Sequence, residues 1–136
     1  MKILKNILAV IVGIISGSII NMGIIELGPH IIVTPEGFDN TNIDTFAATI
    51  HLLKPSNYIT VFLAHSLGTL AGAFIAAKIA VTKKKVFALI IGLWFLLGGI
   101  AAIIILPSPI WYNSIDLAGA YIPMTWIGWK LAGGNK

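Results

Sequence analysis

The sequence predicts an all-α membrane protein: four transmembrane helices in an up-down bundle, both termini cytoplasmic, with a short amphipathic helix in the first outer loop. Three observations carry that expectation. Of 136 residues, 57% are hydrophobic and only 10% charged, and the mean hydropathy is +0.95. An average soluble domain is about 25% charged, so nine Lys and five acidic residues cannot coat a water-soluble globule of this size. The apolar residues gather in stretches close to the roughly 20 residues that cross a bilayer. The charges then segregate by loop. Composition alone excludes a soluble enzyme, a disordered tail and, with no Cys, a disulfide-stapled secreted domain.

The first span is expected over about residues 7–26, after Lys2 and Lys5 and closed by Glu26. The second, about 58–81, is interrupted only by His65 and by Lys78 near its end. The third, about 86–106, carries no charge. The fourth, about 111–131, spans fully only by taking Asp116 inside. Pro123 lies within it, removes a backbone donor to the Gly119 carbonyl and predicts a kink. All four spans form one transmembrane domain, residues 1–136.

Sidedness follows from the lysines. Eight of nine fall at the N-terminus, near the second connection or at the C-terminus, whereas all five acids fall on the other side with Lys54. The positive-inside rule makes the lysine side cytoplasmic. Tyr58, Trp111 and Tyr112 mark the outer boundary, and Trp126 and Trp129 approach the inner one. A cleaved signal peptide competes for the first span, but its apolar run is too long and no A-x-A site follows. The absence of Arg beside abundant Ile, Lys and Asn fits a low-GC bacterial genome. The expected location is therefore the bacterial inner membrane. The basic charge forms no aromatic-interleaved patch, so nucleic acid is not an expected partner.

The outer loop, residues 27–57, opens with turn chemistry at Pro35-Glu36-Gly37, read with Pro35 at the second turn position. Ile43, Phe46, Ala47, Ile50 and Leu53 then recur at helical spacing until Pro55. Residues 42–53 should form a short amphipathic helix at the outer interface or over the bundle. Two pairs of fragments match: Lys5–Gly13 with Lys84–Gly92, and LAGAFI from Leu70 with LAGAYI from Leu117. They suggest a duplicated hairpin, although apolar segments share a small alphabet.

Small residues mark the packing faces. Gly13 and Gly17 are four apart in the first span; Ala64, Gly68, Gly72 and Ala76 form a continuous stripe in the second. In lipid, close backbone approach carries helix association. The stripe serves either this chain's own bundle, the favoured use, or a homo-oligomer or partner membrane protein.

Polar groups inside hydrocarbon are expensive, which makes them candidate functional residues. Asn21, Glu26, His65 and Asp116 all fall in the outer half, with Tyr112 and His51 above them. Converging, they would form an outward-facing polar funnel. His65 would be its one side chain of a type that changes charge near neutral pH. Such a pocket would bind or pass a small solute, an ion or a proton. Each residue also has a plainer role: Asn21 as an interhelical hydrogen-bond donor, Glu26 and Asp116 as boundary markers, His65 as packing glue, and His30 and His51 as loop residues.

No cofactor or metal is expected. A b-haem wants two axial ligands and only His65 sits firmly in a span; thiolate sites need Cys, and no H-E-x-x-H or G-x-x-x-x-G-K motif appears. The leading expectation is ligand or ion binding at His65, Asp116, Glu26, Asn21 and Tyr112 in a protein surrounded by membrane lipid. The alternatives are a non-catalytic subunit that packs against a partner membrane protein, and a membrane enzyme acting on lipid headgroups. The enzyme reading requires His65 and Asp116 within hydrogen-bond reach as an acid/base pair.

Overall fold

The computed structural model describes residues 1–134 of the chain. All regular structure among them is helical. The helices are α1 (Lys2–Ile31), α2 (Ile43–Thr49) followed by a 3-10 turn (Ile50–Leu52), α3 (Asn57–Ile79), α4 (Lys84–Ile105), α5 (Ile110–Gly119) and α6 (Ile122–Leu131). Lys136 lies outside the described residues.

Three of these, α1, α3 and α4, are long and apolar enough to cross a membrane. Their outward faces are apolar too. Leu97 and Ile104 on α4 are 64% and 79% exposed, and Ile19 on α1 is 65% exposed. Water would penalise that surface at roughly 25 cal/mol per Å²; hydrocarbon would not.

α1 is longer than the sequence suggests. Glu26 is an exposed residue within the helix rather than its end, and the helix continues through Pro29 to Ile31. Pro29 is tolerated because it falls in the last turn, where it removes one bond and no further helix follows to be disrupted. The loop therefore begins at Ile32, not Leu27. Its turn is closed by the Phe38 N–H donating to the Pro35 carbonyl at 3.2 Å, which makes Pro35 the first turn residue rather than the second. Gly37 then takes the third position with φ +84, which a type II turn needs there.

α2 starts on a reciprocal cap. The Asn42 side chain accepts from the Asp44 and Thr45 N–H groups, and the Thr45 hydroxyl accepts from the Asn42 N–H. The Thr49 hydroxyl joins α2 to the preceding loop by accepting from the Asp39 N–H and donating to the Asp39 carbonyl, each at 3.0 Å. Asn57, 4% exposed, ties the loop ends together. Its amide donates to the Val33 carbonyl at 3.1 Å while its oxygen accepts from the Lys54 N–H at 3.0 Å.

The most extensive interface joins α1 to α3. Here the two small-residue stripes meet in antiparallel register. A Cβ on Gly17 would lie 2.7 Å from the Gly68 carbonyl, and one on Gly72 would lie 2.7 Å from the Gly13 carbonyl. Only glycine lets the backbones approach so closely. Ala64 and Ala76 are fully buried on the same face of α3. The stripe is thus occupied within the chain. α6 packs on α3 through Gly128, whose missing Cβ leaves room for the Leu70 carbonyl, and on α4 through Thr125, which lies against Gly92.

The fourth apolar stretch is two ten-residue helices, α5 and α6, separated at Ala120-Tyr121. Pro123 sits in the first turn of α6, where a missing N–H is harmless. The kink expected there is a full break. It also separates the two resembling fragments: LAGAFI lies inside α3, whereas LAGAYI crosses the break. The match in letters has no counterpart in backbone conformation.

At the far end, Asn6 holds the α3–α4 connection. Its amide donates to the Thr82 hydroxyl at 2.7 Å, and its oxygen accepts from the Val81 N–H at 2.9 Å. Lys85 lies over the Trp129 ring, and Lys130 over Trp126 and Trp129, at 5.0–5.2 Å. These are the positions where lysine stems cover apolar surface while their ammonium groups reach water.

Candidate functional site

Asp116 is the centre of the site, and the local sequence of α5 sets its place. Ser108 and Asn113 close the first turn, with the Ser108 hydroxyl donating to the Asn113 side-chain oxygen at 2.6 Å. Tyr112 and Asp116 are four apart and share the buried face of α5. The Tyr112 hydroxyl donates to Asp116 Oδ1 at 3.2 Å.

The break after α5 supplies a second phenol. In a continuous helix Tyr121 would stand about 140° around the axis from Asp116. Because the chain breaks ahead of Pro123, Tyr121 adopts φ −114 and ψ −76 and its hydroxyl donates to Asp116 Oδ2 at 2.7 Å. Gly99 on α4 makes room for it: a Cβ there would collide with the Tyr121 hydroxyl.

α3 brings the third donor. His65 Nδ1 lies 2.9 Å from Asp116 Oδ1 and 3.1 Å from Oδ2. An ionised carboxylate only accepts, so the hydrogen-bond network assigns the proton to Nδ1. Tyr121 packs beside the imidazole, its oxygen 3.1 Å from the same nitrogen. Three donors on one carboxylate offset much of the cost of removing it from water. The Asp116 side chain is 3% exposed; that of His65 is 21% exposed.

The remaining imidazole nitrogen, Nε2, has no hydrogen-bond partner among the described residues and is not a buried atom. The His65 residue lines a cavity of about 180 Å³ bounded by α1, α3, α4, α5 and the folded loop. Walls of Ile25, Val61, Ala102 and Ile103 are apolar; Phe46 and Ile50 cover the loop end. His65, Asp116, Tyr112 and Tyr58 stand among the lining residues as its ionisable groups, the two tyrosine rings 4.5 Å apart.

No protein-family profile, curated protein or solved structure matches the chain. Chemistry must therefore be argued from the site itself.

Of the five candidate binding residues, the structure brings together His65, Asp116 and Tyr112. It does not bring Asn21 or Glu26 to the cavity. Asn21 continues the Gly13, Gly17 spacing and so faces α3, lying against Gly68. Its Oδ1 is buried with no hydrogen-bond partner, so no interhelical hydrogen bond forms through that atom. Glu26, five residues on, falls about 140° away around α1 and is exposed. His51 and His30 are exposed as well. Tyr121 and Gly99 are the members that sequence reasoning missed. The available signal was Pro123: a proline two residues after a tyrosine can set a helix break at that tyrosine and redirect its side chain.

Among the described residues no three His, Asp or Glu side chains come together in a metal-binding group. The arrangement can orient an imidazole through Asp116 and hold it at the wall of the cavity with one ring nitrogen unpartnered among the described residues.

Proposed function

We propose that the chain is a four-span integral membrane protein, both termini cytoplasmic, that binds and moves a small solute or ion through an outward-open cavity and exchanges a proton at the His65–Asp116 dyad. α5 and α6 together supply the fourth crossing, since twenty helical residues rise about 30 Å. The lysine distribution supports the sidedness, and a low-GC composition supports a bacterial inner membrane.

The observation that carries the function is the pairing of a buried carboxylate that accepts three hydrogen bonds with an imidazole whose second nitrogen has no protein partner among the described residues, both residues lining one cavity. The subunit reading loses its main support, because the glycine stripe that a partner helix would need is already filled by α1.

Reconstitution tests this directly. Vesicles containing the protein and a trapped pH-sensitive dye should pass protons faster than protein-free vesicles after an external pH jump. His65→Ala and Asp116→Asn should bring the rate back to the protein-free level. Unchanged flux in both variants would remove the proposal.

One observation favours a second reading. The 2.9 Å contact satisfies the geometric requirement of the enzyme alternative, in which His65, oriented by Asp116, acts as general base on a lipid headgroup. Release of a headgroup product from vesicle lipid, lost in His65→Ala, would select it.

A further inference from the structure

Resting on the binding reading above, we infer that the cavity's ligand is a small lipophilic cation, about one aromatic ring in size and bearing an ammonium group, and that it competes with a proton for the charge of Asp116.

Size comes first. A 150 Å³ apolar cavity is enough to hold benzene, and this one is about 180 Å³ with largely apolar walls. It admits one ring or a short branched chain, and it would reject a strongly hydrated solute that has to surrender its water against isoleucine and phenylalanine.

Charge decides the class. Asp116 is the sole permanently charged type of side chain among the residues lining the cavity; no Lys lines it. With His65 neutral the site carries one net negative charge in apolar surroundings. Three hydrogen bonds reduce that cost but leave the charge uncancelled. Two events can cancel it: protonation of His65 at Nε2, or entry of a cation. An anion would meet the same negative charge with nothing to offset it.

The surroundings agree. Phe38 and Phe46 meet edge to face at 5.6 Å, and the tilted rings of Tyr58 and Tyr112 lie 4.5 Å apart; all four line the cavity. Aromatic faces attract ammonium groups through their quadrupoles. The segment that covers the cavity carries Glu36, Asp39 and Asp44 against a single Lys54, a net negative charge that favours cations in its neighbourhood.

Competition follows from the geometry around His65. His65 meets Asp116 from α5 and Tyr121 at the α5–α6 break, Tyr112 bonds the same carboxylate, and Tyr58 on α3 is the other titratable group lining the cavity. α1 presents Ile25 and Pro29 to the cavity, and α4 presents Gly99, Ala102 and Ile103, none of them ionisable. A proton on the imidazole and a cation in the cavity are therefore alternative partners for the same carboxylate. A cation entering the protonated form displaces that proton from Nε2 to the outer water; a proton arriving at Nε2 weakens the cation's hold by the same factor.

Isothermal titration of the full-length chain in mild detergent tests this, with benzyltrimethylammonium, benzyl alcohol and phenylacetate as cationic, neutral and anionic probes. Asp116→Asn supplies the background for micelle partitioning. The cation should bind above that background and the other two should not. Its affinity should rise with pH, approaching about tenfold per pH unit, the limit for one proton released per ligand. His65→Gln should flatten that slope. The wild-type pH series stands by itself if a variant fails to fold. Phenylacetate or benzyl alcohol binding as tightly as the cation would overturn the charge assignment while leaving the cavity as a binding site. A pH-independent wild-type affinity would overturn the competition. If no probe of any charge binds, the binding reading falls with it.

Discussion

Replacing Gly72 by Ala adds one methyl group, and the packing of α1 on α3 determines what that methyl does. It would stand 2.7 Å from the Gly13 carbonyl and 3.0 Å from Ile91 Cγ2. Ordinary contact begins at 3.4 Å, so the two backbones must separate by about 0.7 Å along a close-packed seam. Neither obstacle is a flexible side-chain end: one is backbone, and Ile91 is fully buried. Overpacking of this kind costs about 1–3 kcal/mol. Gly98 on α4 provides the matched control, since a Cβ there meets nothing within 4 Å. Both substitutions gain the same helix propensity, up to about 1 kcal/mol, and the difference between them isolates the clash. Reversible unfolding in mixed micelles titrated with dodecyl sulfate should place Gly72→Ala about 1–3 kcal/mol below Gly98→Ala. That gap should persist on tenfold dilution of the protein, because the contact lies within one chain. Equal stabilities would refute the close approach. A gap that shrinks on dilution would move the stripe to an interface between copies.

Three further outcomes follow from other parts of the fold. Tyr121→Phe removes a 2.7 Å bond to a buried carboxylate and should lower stability by about 1.5–3 kcal/mol in the same unfolding assay. Asn6→Ala leaves the Val81 N–H and the Thr82 hydroxyl without their partner. It should cost about 1–3 kcal/mol and speed proteolysis at the α3–α4 connection. Asp39, outside the spans, has its carboxyl held below the ordinary carboxylate range by the Thr41 backbone N–H, with the Thr41 hydroxyl adding to the effect. A depressed folded-state pKa contributes stability above the ordinary carboxylate range, and that contribution fades as pH falls through the depressed value. Amide exchange at Thr41 should thus keep its protection at pH 5 and lose it only in strong acid, a response that Asp39→Asn abolishes.

Much of the fold is legible because its signals are local or periodic. Apolar length alone marks α1, α3 and α4, and i+4 spacing marks the glycine seam. Continuing that spacing one step past Gly17 reaches Asn21, which places Asn21 on the seam rather than in a funnel. Glu26 misleads for a different reason: a charge tells where water begins, not where a helix ends, and an exposed carboxylate at the rim costs α1 nothing. The site is legible in His65, Asp116 and Tyr112, where a polar group interrupts an apolar run. Tyr121 gives no such signal, since its ring reads as part of the apolar run around it. Its role arises from a backbone break and from a glycine on another helix, and neither relation is written in the neighbouring residues. Asn6 and Asn57 escape notice likewise, as they act on loops some 25 to 76 positions away.

Because the chain contains no Cys, single substitutions can report accessibility without altering a background thiol. Val61→Cys, on the cavity wall, paired with Val81→Cys at the lysine-bearing connection, should be treated in intact cells with a membrane-impermeant maleimide. The account predicts that position 61 labels from outside, while position 81 labels only after the membrane is opened. Labelling of position 81 alone in intact cells, or a position 61 that stays unreactive from both sides, would contradict it.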